Sequence, residues 1–206
     1  MRGWLRSAIY ALAPVLASLP GFALADPFQD AVSAYNRSDY AAAAAGFERL
    51  ARAGDARAQH NIALLYVEGQ GVGQDYAKAM LWYRKSAEQG FAPSQVDLAI
   101  MYEEGEGVPV DLDQAIAWYA KAAAQNFLPA EQKLVGLYLD RQDFADALIW
   151  ARKGAEQGDP GEQFNLGSFY FNGWAVPKDE AQARQWYMKA AAQGFEPAIS
   201  ALEKMK

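Results

Sequence analysis

The sequence predicts an all-α solenoid of about five helix-turn-helix repeats, closed by a C-terminal capping helix. Three observations predict it. One aromatic recurs as Tyr66, Tyr102, Tyr138 and Tyr170, and a second as Trp82, Trp118, Trp150 and Trp186. The residue that closes each copy recurs as Gly54, Gly90, Asn126, Gly158 and Gly194. The step on all three tracks is 36 residues, shortened once to 32. A fixed period of this size marks a repeat array, in which each unit buries its apolar face on its neighbours. The stretch from Asn61 to Gly90, NIALLYVEGQGVGQDYAKAMLWYRKSAEQG, is the copy around which the others are organised. The units are read as 26–55, 56–91, 92–127, 128–159 and 160–195, in one repeat domain with a cap at 196–206.

Ahead of the repeats, Arg2 and Arg6 precede the apolar run Ala8 to Leu19, and Ala23-Leu24-Ala25 ends it just before Asp26. This predicts a Sec-type leader, residues 1–25, cleaved after Ala25. A membrane anchor is the competing reading, but Pro14, Pro20 and Gly21 interrupt a run short of the roughly 20 apolar residues a span needs. No later segment is long enough either. The expected location is periplasmic or secreted.

Of the 206 residues 52% are hydrophobic, with alanine prominent, which suits closely packed helices. Cysteine is absent, so disulfides, thiolate metal sites and a cysteine nucleophile are excluded together. Cleavage of the leader changes 19 basic against 25 acidic residues, net −6, to 17 against 25, net −8. Such a chain is repelled by nucleic acid and anionic lipid, and favours neutral or basic partners.

The first unit is degenerate. Phe28, Val32 and Tyr35 make one helical stripe, Asp39 is placed to cap the next helix, and Gly54 stops it. In the later units helix A carries Ile62, Leu65 and Tyr66; Leu98, Met101 and Tyr102; and Leu166, Phe169 and Tyr170, at spacings that fall on one face. Small residues Ala63, Ala99 and Gly167 flank that stripe, with Val135 the exception. The loop reads EGQGVGQD, EGEGVPVD and NGWAVPKD. Its first glycine suits a left-handed helix end, and Asp75, Asp111 and Asp179 are placed to cap helix B. The third copy shortens the loop to LDRQD but keeps Asp143. Ala79, Ala115, Ala147 and Ala183 mark close approach of helix B, and Pro93, Pro129 and Pro197 occupy first turns, where a missing N–H costs nothing. The Trp-Tyr pairs read as inter-repeat packing rather than as a carbohydrate or cation-π site.

The pattern of small residue, Tyr, G-x-G-V, Asp, K-A, W-Y and K-A-A-x-Q-G resembles the Sel-one-like repeat, related to tetratricopeptide repeats, over about residues 56–195 and more loosely 26–55. The resemblance implies a right-handed α-superhelix that acts as an adaptor or scaffold, requires no cofactor, and performs no chemistry of its own. Exported bacterial members are involved in envelope assembly, in regulation of membrane sensor kinases, or in contact with host cells. In the related superhelix, helix A lines a concave groove. Carried over, the groove residues are Phe28, Val32, Tyr35 and Asn36; His60, Leu64, Val67 and Glu68; Val96, Ile100, Glu103 and Glu104; Gln132, Leu139 and Asp140; and Phe164, Ser168, Phe171 and Asn172. An open groove of this kind takes a protein or peptide segment with apolar side chains and a positive charge, clamped by Glu68, Glu103, Glu104 and Asp140. In the alternative arrangement the apolar residues pack on one another and the acids are simply solvated.

Two further readings belong to the enzyme class. A cysteine-rich branch of the family is linked to β-lactam hydrolysis, but S-x-x-K and K-T-G are missing, as is G-x-S-x-G. His60 is the only histidine, and Val96, Gln132 and Phe164 stand at its repeat positions, so no metal-ligand spacing surrounds it. Asp143 and Asp146 fit a helix cap and first turn.

Overall fold

The computed structural model describes residues 26–205. The expected leader and its cleavage site lie outside them. Among the described residues there are eleven helices: α1 (Pro27–Asn36), α2 (Tyr40–Arg52), α3 (Ala56–Glu68), α4 (Tyr76–Glu88), α5 (Ala92–Glu104), α6 (Leu112–Ala123), α7 (Leu128–Asp140), α8 (Phe144–Glu156), α9 (Pro160–Asn172), α10 (Glu180–Ala192) and α11 (Glu196–Lys204). They form two compact units that divide between Ala122 and Ala123, at the end of α6. In the first, α1 packs on α2, α2 on α3, α3 on α4 and α4 on α5. In the second, the same succession runs from α7 to α11. None of the described helices is long and apolar enough to cross a membrane.

The helix ends follow from side-chain chemistry. Asp75, Asp143 and Asp179 each accept from the backbone N–H three residues on, as expected of N-caps, and Asp111 accepts from Gln114 at 3.0 Å. The N–H of each capping aspartate also closes the loop onto the carbonyl of the repeat tyrosine. Asp75 to Tyr66, Asp111 to Tyr102 and Asp179 to Tyr170 measure 2.9 Å, and Asp143 to Tyr138 measures 2.8 Å across the shortened loop. The deletion therefore removes loop residues while sparing the bond that fixes both helices.

Asn126 takes φ +62°, on the same track as Gly54, Gly90, Gly158 and Gly194, all left-handed. Asparagine tolerates that conformation better than other side chains with a Cβ, which explains why it can replace the closing glycine once.

Within each helix pair a small residue faces a large one. Ala63 and Ala99 are wholly buried, as are Tyr83 and Tyr119 on the paired helices. At Gly167 an added Cβ would lie 2.7 Å from the ring of Tyr187. The third pair reverses the sizes: Val135 replaces the small residue, Ala151 replaces the tyrosine, and both lie in one buried cluster with Leu166 and Phe169. The tryptophans divide differently. Trp82, Trp150 and Trp186 are only partly buried. The repeat lysine lies over each ring, with Lys85, Lys121, Lys153 and Lys189 at 4.4, 3.6, 5.3 and 3.6 Å from the ring centres. These are internal contacts worth about 0.5–1 kcal/mol each at partly exposed sites.

A buried amide ladder joins one repeat to the next. Gln59 donates to the carbonyl of Ala51 at 3.1 Å, Gln95 to Ala87 at 3.1 Å and Gln163 to Ala155 at 3.4 Å. A second glutamine braces the first: Gln89 donates to Gln59 at 2.7 Å and Gln193 to Gln163 at 2.9 Å. In the third copy Glu131 has no N–H to give, so Lys153 supplies it, donating to Ala123 at 2.6 Å while pairing with Glu131 at 3.0 Å.

The G-x-G loop makes the other junction. A Cβ on Gly71, at φ +69°, would fall 2.1 Å from the carbonyl oxygen of Tyr40, at the start of α2. Gly107 sits the same way against Tyr76, and Trp174 stacks on Phe144 with ring centres 4.9 Å apart. In the fourth loop Ala175 keeps the glycine's left-handed backbone at φ +55°. We predict that Gly71→Ala destabilises the protein by about 2–4 kcal/mol, as strain plus backbone displacement requires. Gly194→Ala, with nothing within 4 Å of the new methyl, costs only the left-handed penalty of about 1–2 kcal/mol. Equal midpoint shifts in urea denaturation would refute the contact.

Candidate functional site

The predicted groove residues divide by unit. In the first, His60, Leu64, Val67, Val96 and Ile100 are buried, at 1, 1, 7, 3 and 6% exposure, and so are Phe28 and Val32. The expected exposed apolar track is therefore not observed there. Aliphatic and aromatic side chains at successive helix A positions gain too much from leaving water to remain on a surface. Tyr35 is half-buried and Asn36 exposed. Of the acidic clamp, Glu68 and Glu104 are exposed. Glu103 instead accepts a 2.6 Å hydrogen bond from the hydroxyl of Tyr119, whose pKa is raised by burial and by that carboxylate.

In the second unit the track is more open. Gln132 is exposed and donates to Asp159 at 3.1 Å, Asp140 is exposed, and Leu139 is half-buried beside the Val135 cluster. Phe164 belongs to the core, with its ring centre 5.3 Å from Tyr187 and 5.7 Å from Phe195. Ser168 lies 3.1 Å from the hydroxyl of Tyr187, and Asn172 donates to the Ser168 carbonyl at 2.9 Å. Phe171 differs from all of these. It is 37% exposed, and the ammonium of Lys178 stands 5.5 Å from its ring centre.

Around His60 the structure assembles groups that repeat spacing did not connect. Its Nδ1 lies 3.0 Å from the Ser94 hydroxyl and 3.5 Å from an Asp97 oxygen, and all three residues are buried. Ser94 donates to Ser86 at 2.7 Å, and Ser86 to the Ala56 carbonyl at 2.7 Å. Since both hydroxyl protons point onward, Nδ1 must carry the proton given to Ser94. A nucleophilic serine needs the opposite direction, with the ring nitrogen accepting its proton. The chain instead ties α3, α4 and α5 together. Burial lowers the pKa of His60 from 6.5 to about 3, so the ring is neutral at physiological pH.

A second polar cluster lies in the other unit. Glu131 is 0% exposed, and besides Lys153 it accepts from Gln157 at 2.9 and 3.1 Å. Glu162 is also buried, and it stands where Ala58, Ser94, Ala130 and Ala198 stand in the other units. Gly154 makes room for it: a Cβ there would lie 2.6 Å from the Glu162 side chain. Asn165 donates to Glu162 at 3.1 Å. Burial, with Asp159 and Glu131 nearby, raises the Glu162 pKa from 4.5 to about 7. The described residues contain no group of three or more metal-ligating side chains.

A family model described as Sel1 repeat matches residues 56–91, 92–127, 133–159 and 163–195. Among solved structures, a Sel1 repeat protein from Oxalobacter formigenes is 34% identical with a TM-score of 0.76, over 82% of this chain and 72% of that one. A protective antigen present in uropathogenic Escherichia coli strains, displaying an SLR fold, is 32% identical with a TM-score of 0.76, over 84% of this chain and 38% of that one. The chitin synthase regulator SKT5 of Malassezia restricta is 34% identical over 64 residues, 31% of this chain. The match spans 4% of that curated relative's length.

The two buried acid-base groups give opposite pH dependences. His60, with its folded pKa below the unfolded value, costs nothing above pH 6.5 and costs progressively more stability as pH falls toward 3. The slope is about 1.4 kcal/mol per pH unit within that window. We predict that His60→Gln flattens the acid limb of a melting-temperature profile; an unchanged limb would refute the assignment. Glu162, with its folded pKa raised, costs nothing below pH 4.5 and its full penalty above pH 7. Glu162→Gln is expected to stabilise the protein at pH 8 by up to about 3 kcal/mol, with the gain vanishing at pH 4. A gain equal at both pH values would contradict burial of the charge.

Proposed function

The chain belongs to the Sel1 repeat family, and from that premise we propose that it is an exported protein-binding scaffold, working in bacterial envelope assembly or regulation and carrying out no reaction itself. The observation that carries this reading is Phe171. It is a large aromatic residue left more than a third exposed at the end of a helix A, at a register position where Val67 of the first unit is buried. Exposed aromatics are over-represented where proteins bind proteins. The charged leader and A-x-A site support export, and net charge −6 disfavours nucleic acid as the partner.

Regulation of a membrane sensor kinase in the periplasm is the second reading. The name of the matched relative, a chitin synthase regulator, favours a regulatory role for repeats of this kind. The hydrolase reading has less support. The buried Ser94 directs its proton away from His60, which is the sequence's single histidine.

Affinity capture from an envelope extract tests the scaffold reading, using the wild type beside Phe171→Asp. Phe164→Asp is unsuitable because it would break the Tyr187 and Phe195 contacts of the core. The expected outcome is a stoichiometric partner retained by the wild type and reduced at least about tenfold by Phe171→Asp, a change of about 1.4 kcal/mol in binding. The circular dichroism of the variant should be unchanged. Retention of identical proteins by both would remove Phe171 from the interface. A chromogenic β-lactam is expected to be untouched by the purified chain; turnover abolished by one substitution would overturn the non-enzymatic assignment.

A further inference from the structure

Beside Phe171 the second unit holds a cavity of 630 Å³ between α9, α10 and α11. Its apolar floor is Phe171, Tyr187 and Met205, and its rim carries Glu180, Arg184 and Lys204. We propose that this cavity is the partner-binding pocket of the scaffold, and that it takes an acidic peptide segment bearing a large apolar side chain. The proposal deepens the scaffold reading and rests on it.

The internal repeats show what this place accommodates. The first turns of α2, α4 and α8 are covered by a neighbouring loop: Gly71 lies against Tyr40, Gly107 against Tyr76, and Trp174 against Phe144. Where Gly107 covers α4, the corresponding cavity, lined by Ala77, Met80 and Arg84, has shrunk to 220 Å³. The seat is thus shaped for a passing segment of irregular backbone. At α10 no loop among the described residues fills it, and it is almost three times as large.

Charge selects the occupant. The register position of Arg184 holds Met80, Ile116 and Leu148 in the preceding units, all aliphatic. Only here is a guanidinium present, and it stays exposed at the rim, with one Nη donating to the Met205 carbonyl at 2.6 Å. Lys204 is exposed beside it. Glu180 is the opposing charge, and Lys178 pairs with it at 2.9 Å. Two cations over an aromatic floor match a carboxylate next to an apolar side chain, with guanidinium–carboxylate geometry adding direction. This is opposite in sign to the basic partner expected from the acidic clamp, of which Glu103 is already occupied by Tyr119.

The test is fluorescence anisotropy of the full chain with a labelled short peptide in which glutamates alternate with leucine and phenylalanine. Gln-for-Glu and Lys-for-Glu versions serve as controls. The glutamate peptide should bind at least about tenfold more tightly than either control, weaken as salt rises, and lose its advantage with Arg184→Gln combined with Lys204→Gln. Both substituted residues are exposed, so the fold survives, which circular dichroism verifies. Equal affinity for all three peptides, or an advantage that persists in the double variant, overturns the proposal. If the peptides fail while a captured partner is still released by Phe171→Asp, the pocket assignment falls and the scaffold reading stands. If neither peptide nor partner depends on these residues, both fall.

Discussion

The seating of repeat on repeat rests on one polar contact: at three of the four full helix A copies a buried glutamine gives its amide N–H to a carbonyl near the end of the preceding helix B. Carbonyls in the last turn of a helix have no donor four residues on; those of Ala51, Ala87 and Ala155 take the N–H of the closing glycine at 3.1, 3.0 and 3.1 Å and keep a second lone pair for the next repeat. Gln59, Gln95 and Gln163 give these carbonyls of Ala51, Ala87 and Ala155 a second bond, and in doing so set the distance and register between one repeat and the next. Apolar contacts alone would leave that register free to slip. The polar bond at the centre of each junction allows a single seating.

The second unit shows how a departure from the pattern is absorbed. Replacing the glutamine by Glu131 removes the donor and adds a buried charge. Lys153 answers both, and its ring contact with Trp150 is correspondingly long beside those of Lys121 and Lys189. Gly154 and Glu162 form a second matched pair, as do Val135 and Ala151. Each exchange conserves volume or charge within one junction. A repeat protein tolerates such local exchanges because each unit touches only its neighbours.

The sequence leaves an open and a self-packed groove as alternatives for one reason: repeat register tells which residues share a helix face but not how closely that face is covered. Leu64, Val67, Val96 and Ile100 share the positions of Ser168 and Phe171, or lie one turn away, yet they are buried while Phe171 is not. The cavity beside Phe171 draws Arg184 and Lys204 from helices twenty residues apart in sequence. A signal for Arg184 was nevertheless present, since it is the one cation on a track otherwise Met80, Ile116 and Leu148. The ladder of Gln59, Gln95, Glu131 and Gln163 was equally readable, at the same steps of 36, 36 and 32 residues as the tyrosines.

By itself the sequence determined the family, the all-α class, the boundaries of the helix pairs, their aspartate caps and their left-handed ends. These are local properties: side-chain period, capping chemistry and the freedom of glycine act within a few residues and repeat visibly. Tertiary structure decided which apolar positions leave water, which way the Ser94 proton points, and that Glu131 and Lys153 replace an amide. Those outcomes depend on groups brought together from separate helices, where burial sets both the strength of a charge and its protonation. The placing of one exposed phenylalanine beside two cations belongs to the same class, and no periodicity in the chain encodes it.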